Sequence, residues 1–427
     1  MRTAARDRAD GGGPATRIRA EWLYRGAGVA QRGAAILIRG ERIVMVGPDA
    51  RVPSADGPEF TFAAATVLPG LIDAHTHLLL PHGGDLTWAG SGPADAAATT
   101  AAASAARSIA GRLLESGVTT VRDLGSPGTL GQALRDAVDA DQTAGPTIVA
   151  AGRPITSPDG HFRSFGITVQ GADQAARAVE RLHGEGADLV KVAVTGGSLT
   201  PGTDMGRAYL GRAEVAAVVA AAHDRGMRVA AHAHGTAGVE VSLAAGVDSI
   251  EHCTWLDADG RVQSPPPVLV RALRDRRRSV VLAGPIEPAI ADVLDIAAGP
   301  DPRVSPGVDR RIQIWRNGRT LARAGVPVAL GSDSMYGQFP GYRDLTIRAR
   351  AMVAFAGWQP AEMLAALTTG GAHALGRLGE VGMLAAGAYA DLLVVSGNPT
   401  ESIDDLDRVV AVFKRGRRVI PGEPAGD

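Results

Sequence analysis

Val67-Leu68-Pro69-Gly70-Leu71-Ile72-Asp73-Ala74-His75-Thr76-His77 is a short apolar run that ends in two histidines. The run, Val67–Ala74, has the length of a strand, and an alanine-rich stretch of helical length follows at 94–116. The same alternation continues through the middle of the chain. Apolar runs recur at Val118–Asp123, Thr147–Ala151, Leu189–Val194, Arg228–Ala231, Asp248–Glu251, Ser279–Ala283 and Val326–Leu330. Helical stretches follow at 128–140, 173–185, 211–224, 236–245, 266–277, 310–324, 343–356 and 360–375. Strands alternating with crossover helices form a parallel sheet. Eight such units over roughly 300 residues match a closed (β/α)8 TIM barrel, an α/β fold. The rival, a doubly wound open sheet, would carry a phosphate-binding glycine fingerprint after its first strand. This chain has His-Thr-His there.

Outside the middle, both ends read as strands. RIRAEWLY, AAILIRG, RIVMVG and FTFAAATV lie within 17–67, and Ala390–Val395 and Val409–Phe413 lie near the other end. Exposed apolar strand faces need a partner, so the two ends are expected to form one small β-sandwich domain, 17–65 plus 380–421, around a barrel at 66–379. Residues 1–16, basic and glycine-rich, read as a disordered tail without the apolar core of a signal peptide. The 427 residues carry a formal charge of −1, which argues against nucleic acid as the main partner. Charged residues at 21% and hydrophobic residues at 45% exclude disorder across the bulk of the chain. One cysteine, Cys253, excludes an intrachain disulfide framework and a zinc–thiolate cluster. No apolar run reaches about 18 residues, so no membrane span is expected. A cytoplasmic homo-oligomer acting on a small-molecule substrate is the expectation.

In a barrel the C-terminal strand ends line one mouth, where active sites sit. His75 and His77 are two apart, and residues i and i+2 of a strand share a face. Both imidazoles can therefore address one ion. His232 and His234 repeat the spacing, and His252 ends the sixth run. Asp333, after the eighth run, supplies the carboxylate that such sites take. Five of the ten histidines thus fall at strand ends, while His183, His223 and His373 lie in helices. Lys191, on the fourth strand, is one of only two lysines, with Lys414, among 44 basic residues. Three readings are open for it: a salt bridge to Glu251 or Asp123, a Schiff-base amine, or a carbamate formed with carbon dioxide. Arginine cannot form a carbamate because it stays protonated.

These residues resemble a known family. Val67–His77 is similar to the first-strand motif of the amidohydrolase superfamily, and Ala390–Val394 to its returning β strand. Gly117–Asp123, Lys191–Gly197, His232–Gly235 and Ile250–His252 resemble the imidazolonepropionase-like, prolidase-like branch, which includes Xaa-Xaa dipeptidases and ochratoxinase-type amidases. The likeness runs from about 17 to 421. It implies two divalent metal ions, with zinc expected. His75, His77 and Asp333 match ligands of the more buried ion, Lys191 the carboxylated bridging lysine, and His232 and His252 ligands of the second ion. His234 matches no ligand and is assigned to substrate. His161 matches a substrate-facing loop histidine, and Tyr209 and Arg163 are candidates for a substrate carboxylate. The implied reaction is amide hydrolysis of a dipeptide or N-acyl amino acid by a metal-bridging hydroxide, with Asp333 shuttling the proton. The alternatives are a mononuclear cyclic-amide hydrolase or deaminase, a lactonase or carbamate hydrolase, and a non-catalytic scaffold. Val194, Cys253-Thr254-Trp255 and the loop 334–340 depart from the branch and bear on the substrate.

Overall fold

The computed structural model describes residues 13–81, 96–142, 144–284, 306–336 and 343–419. The chain enters β1 (Thr16–Leu23), β2 (Gln31–Arg39), β3 (Arg42–Pro48) and β4 (Glu59–Pro69). Residues 1–12 of the expected tail lie outside the described residues, while Ala15 is buried. The first expected barrel strand, Val67–Ala74, is corrected to parts of two strands: Val67–Pro69 closes β4, and β5 (Leu71–Pro81) follows. Gly70 makes the exchange possible. A Cβ there would lie 2.1 Å from Thr119 Oγ1, so only glycine lets the chain pass this close to the next strand.

After β5 come α1 (Ala96–Glu115), β6 (Val118–Asp123), α2 (Leu130–Ala140), β7 (Thr147–Ala150) and the short β8 (Ile155–Thr156) and β9 (Ile167–Thr168). Then follow α3 (Ala172–Gly184), β10 (Leu189–Ala193), α4 (Arg212–His223), β11 (Arg228–Gly235), α5 (Thr236–Ala245) and β12 (Ser249–Leu256). Next are α6 (Pro267–Asp275), β13 (Ser279–Leu282), α7 (Pro306–Arg323), β14 (Val328–Leu330), β15 (Met335–Tyr336) and α8 (Asp344–Ala356). The amphipathic spacing is visible in α3, which buries Ala175, Ala178, Val179 and Leu182 on one face. β6 is buried along its whole length, as a strand covered on both faces must be. No described helix is long and apolar enough to cross a membrane.

Eight strands pair in parallel in chain order, in two runs: β5-β6-β7 and β10-β11-β12-β13-β14. Hydrogen bonds bridge both seams. Asp188 N donates to Ala150 O at 2.9 Å, between β7 and β10. Asp333 N donates to His75 O at 2.7 Å and His77 N to Ser334 O at 2.9 Å, between β14 and β5. Sequential order with both seams joined fits a TIM barrel and not a doubly wound sheet.

The expected helix 360–375 runs unbroken as α9 (Pro360–Ala365), a π-helical turn at Ala366–Gly370 and α10 (Gly371–Leu375). Gly370 and Gly371 pack against the barrel, where a Cβ would come within 2.1 Å of Val328 O and 2.7 Å of Ile72 Cβ. The extra residue of the π turn fits the helix to the strands it covers. The chain closes with β16 (Leu392–Ser396), β17 (Val409–Lys414) and β18 (Arg417–Val419).

Both chain ends share one continuous seven-stranded sheet, β18-β17-β16-β4-β1-β2-β3. Ile18, Ile36, Val67, Leu392, Val394 and Phe413 belong to its apolar cluster. Lys414 docks this sheet to the barrel. Its buried ammonium donates to Asp391 Oδ2 at 2.7 Å and to Thr119 O and Thr147 Oγ1 at 2.8 Å. A compact ammonium with three donors suits that site better than a planar guanidinium.

Candidate metal centre

His75 and His77 share a face of β5, with ring centroids 5.3 Å apart. Each imidazole has one nitrogen anchored by an acceptor. His75 Nδ1 lies 2.9 Å from Glu251 Oε2, and His77 Nδ1 lies 3.2 Å from Gly125 O. A carboxylate or carbonyl oxygen only accepts, so the proton sits on Nδ1 and each Nε2 is bare. Both Nε2 atoms lie 3.4 Å from Asp333 Oδ1. Ligand atoms of His75, His77 and Asp333 fall within 4.8 Å of one another.

A second group adjoins the first. His232, His234 and His252 also place ligand atoms within 4.8 Å of one another. His232 Nε2 donates to Gly196 O at 2.9 Å and His252 Nδ1 to Ala283 O at 3.3 Å. Thr254 spends its hydroxyl proton on His234 O (3.1 Å), so its oxygen accepts from His234 Nδ1 at 3.2 Å. The His75 and His252 rings, 4.9 Å apart, join the two groups, and Asp333 Oδ2 lies 4.0 Å from His252 Nδ1. Lys191 Nζ, from β10, lies 3.4 Å from His75 Nε2.

Backbone geometry brings these groups to one mouth. On a regular strand Glu251 and His252 would face opposite ways. His252 has φ 67° and Cys253 φ 49°, left-handed values that are costly for non-glycine residues. The turn lets Glu251 reach His75 while His252 also faces it. Asp333 has φ 55°, and the same conformation directs it toward both histidines. Asp73 braces that turn by accepting from Ser332 N at 2.9 Å and from Ser332 Oγ at 2.5 Å.

Burial sets the charge states. It holds His75, His232, His252 and His161 well below the usual imidazole range, and His77 and His234 at about 3. They are neutral at pH 7, the form that binds metals. Burial also lowers the Lys191 ammonium, to about 8, against the opposing pull of Glu251 and Asp333. It raises the Asp333 carboxyl to about 7, an effect that the Lys191 charge opposes. Neutral imidazoles with anchored outer N–H groups, a nearby carboxylate and an amine that can become neutral form a donor set suited to divalent cations.

Sequence reasoning missed the role of Glu251. It named this residue only in one of the open readings for Lys191, a salt bridge to Glu251 or Asp123, whereas Glu251 accepts from Arg122 Nη2 at 2.8 Å, from Ser249 Oγ at 2.6 Å and from His75. Its neighbour on the chain, His252, was the only pointer. We expect Glu251→Gln to lower metal affinity about 10- to 100-fold and to destabilise the fold by about 3–5 kcal/mol, because buried Arg122 loses its counter-charge. Metal titration and thermal melts check this; an unchanged melt contradicts it.

The other sequence candidates are spread around the mouth. His161 is buried, its Nδ1 2.9 Å from Thr200 Oγ1 and its ring 4.7 Å from that of His232. Tyr209 Oη accepts from Asp204 N at 3.0 Å. Arg163 is exposed and donates to Pro201 O at 3.0 Å. Asp123 receives Leu78 N at 2.9 Å and Gly125 N at 3.3 Å, so it braces the β5–β6 connection. Residues 337–340 of the expected substrate loop lie outside the described residues.

Known proteins share this architecture. An ochratoxinase from Aspergillus niger is 25% identical over 439 residues, covering 94% of this chain and 86% of its own. An imidazolonepropionase from Anaeromyxobacter sp. (strain K) is 30% identical, covering 91% and 90%. The crystal structure of a Xaa-Pro dipeptidase with bound methionine in its active site superposes with a TM-score of 0.76 at 28% identity, covering 95% and 99%. The amidohydrolase family matches residues 66–419, from the end of β4 through all eight barrel strands and back to β18 in the end sheet. With its paired histidines and late aspartate gathered at one barrel mouth, the chain belongs to the amidohydrolase family.

Proposed function

We propose that this chain is a metal-dependent hydrolase of carbon–nitrogen bonds that cleaves an amide in a dipeptide or N-acyl amino acid. The observation that carries the reading is the convergence of His75, His77, His232 and His252. Each has one ring nitrogen anchored by an oxygen, and the four rings gather beside Asp333 and Lys191. His75, His77 and Asp333 would hold one divalent ion and His232 and His252 the other, with zinc the expected metal. Lys191 would bridge them: its neutral amine adds carbon dioxide and loses a proton, giving an anionic carbamate. Such ions supply Lewis acidity, which polarises a carbonyl and makes water nucleophilic near neutral pH.

The remaining work belongs to the chain. Asp333, within 3.4 Å of His75 Nε2 and His77 Nε2, takes a proton from the attacking water and returns it to the leaving nitrogen. Glu251 and Gly125 O fix the ring orientations of His75 and His77. His161 and His234 form the wall that faces substrate. The end sheet, folded over its apolar cluster, would constitute the small β-sandwich domain of 17–65 plus 380–421. A second reading, a cyclic-amide hydrolase with one ion, draws on the imidazolonepropionase relative at 30% identity.

Metal analysis followed by a panel of dipeptides, N-acyl amino acids, cyclic amides and lactones tests the proposal. Two ions per chain and amide turnover support it, while one ion with cyclic-amide turnover favours the second reading. Asp333→Asn is expected to lower kcat by about 10²–10⁴-fold. Wild-type kcat in this variant would remove the proton-transfer role.

A further inference from the structure

Asp333 sits in a left-handed turn, φ 55°, which a non-glycine residue keeps only when its surroundings hold it there. That rotation is set relative to the peptide between Ser332 and Asp333, so whatever fixes this peptide aims the Asp333 side chain. The N–H of the peptide donates to His75 O at 2.7 Å. Its carbonyl, Ser332 O, accepts from Arg348 Nη2 at 3.0 Å. The peptide is thus gripped at both ends, by β5 on one side and by α8 on the other. The far side of Asp333 is held as well. Ser334 N donates to Ser332 Oγ at 3.1 Å, and Ser334 Oγ donates to Asp344 Oδ2. Arg348 and Asp344 stand four residues apart on α8, about one helical turn, and so share a face.

Other contacts seat α8. Leu345, Ala349 and Met352 pack in the large apolar cluster of the barrel. Arg350 donates to Asp404 Oδ1 at 2.6 Å and to Asp407 Oδ2 at 3.1 Å, and Thr346 Oγ1 donates to Asp407 Oδ1 at 2.9 Å. Arg348 is 1% exposed, yet it forms no ion pair among the described residues, and its Nε has no partner among them. A buried guanidinium without a paired acid costs stability. Asp344 is fully buried too, with Oδ1 lacking a partner among the described residues. Among the described residues, the side-chain bonds of these two costly groups both end on the neighbours of Asp333.

We propose that Arg348 and Asp344 are positioning residues, which lock the Ser332–Asp333–Ser334 turn from α8 so that the Asp333 carboxylate faces His75 and His77 before ion or substrate arrives. This rests on the role given to Asp333 in the hydrolase reading, and two of its three readouts need no turnover. In the chelated full chain, amide hydrogen exchange across Ser332–Ser334 should rise about tenfold or more in Arg348→Met. Zinc affinity, measured by competition with a chromogenic chelator, should fall about tenfold or more. On the amide that the wild type turns over best, kcat should fall about 10- to 100-fold with KM changed less than about twofold, the scale of a displacement of about 1 Å. Arg350→Gln, which loosens the seating of α8, should lower the melting temperature and move none of the three readouts. Asp344→Ala should follow Arg348→Met, and it decides the matter if the latter does not fold. Wild-type exchange, zinc affinity or kcat in the deciding variant overturns the inference. So does an Arg350→Gln variant that moves the three readouts equally far, because the effect would then come from helix seating alone. If the wild type hydrolyses no amide while exchange and zinc affinity respond as expected, the hydrolase reading falls and the locked turn remains.

Discussion

Lys191→Ala is expected to lower kcat/KM by about 10³-fold or more, the scale of several kcal/mol of metal-assisted stabilisation. The variant should also bind fewer ions per chain. Lys191 is buried on β10, 3.4 Å from His75 Nε2, and burial lowers its ammonium toward the neutral amine that a carbamate requires. A millimolar short carboxylic acid, filling the space left by the side chain, should restore part of the lost activity. The second lysine serves as an internal control. Lys414 spends its three donors on Asp391, Thr119 and Thr147, and as a paired ammonium it has no lone pair for carbon dioxide. With ¹³C-bicarbonate, the wild type should give a side-chain carbamate resonance that Lys191→Ala abolishes and a Lys414 variant keeps. Full turnover by Lys191→Ala would end the bridging assignment.

After chelation, the protein is expected to be acid-labile, losing on the order of 5 kcal/mol between pH 7 and pH 5. His75, His77, His161, His232, His234 and His252 are all held below their ordinary value by burial. A depressed folded-state value means that the stabilising contribution is complete above about pH 6.5, where the unfolded imidazole is also neutral. It is lost as pH falls, because the unfolded chain takes up protons that the folded chain refuses. For His77 and His234 the loss continues to about pH 3. Each histidine contributes about 1.4 kcal/mol per pH unit in that window. Four carboxyls work against them. Burial raises Asp73 and Asp344 to about 6 and Asp123 and Asp333 to about 7, so the folded chain takes up these protons first. Their contribution is complete below about pH 4 and lost as pH rises through 6–7. Six histidines outweigh four carboxyls, and the net effect is destabilisation toward acid. Urea unfolding of the chelated protein at pH 7 and pH 5 measures it. Equal midpoints would mean that the imidazoles are not held neutral.

The strand-and-helix alternation was legible from local pattern alone, and so was the pairing of His75 with His77 on one face. Both follow from short-range geometry: a two-residue strand period and a helical repeat written into neighbouring residues. The match of β6, β10 and β13 to the expected runs reflects this, and so do α5 and α8. Where the chain changes sheets, local pattern failed. Val67–Ala74 is one apolar run, and only the contact between Gly70 and Thr119 divides it. The helix expected at 360–375 keeps its bounds, but its π-helical turn at Ala366–Gly370 lies where Gly370 and Gly371 press on the barrel, a contact with residues far away in the chain.

The site shows the same division. Residue type and spacing nominated His75, His77, Lys191, His232, His252 and Asp333 as a set. Barrel closure decided how they meet, because Asp333 N must bond His75 O across the β14–β5 seam before either reaches the other. The left-handed backbone at His252 lets that residue face His75 alongside Glu251, which strand alternation forbids. Tertiary structure also turned Arg163 outward. Sequence by itself determined which chemistries were available and on which face of each element they lay. Their convergence depended on strand register and on backbone turns whose cost is met by distant contacts, and no local stretch of residues encodes those.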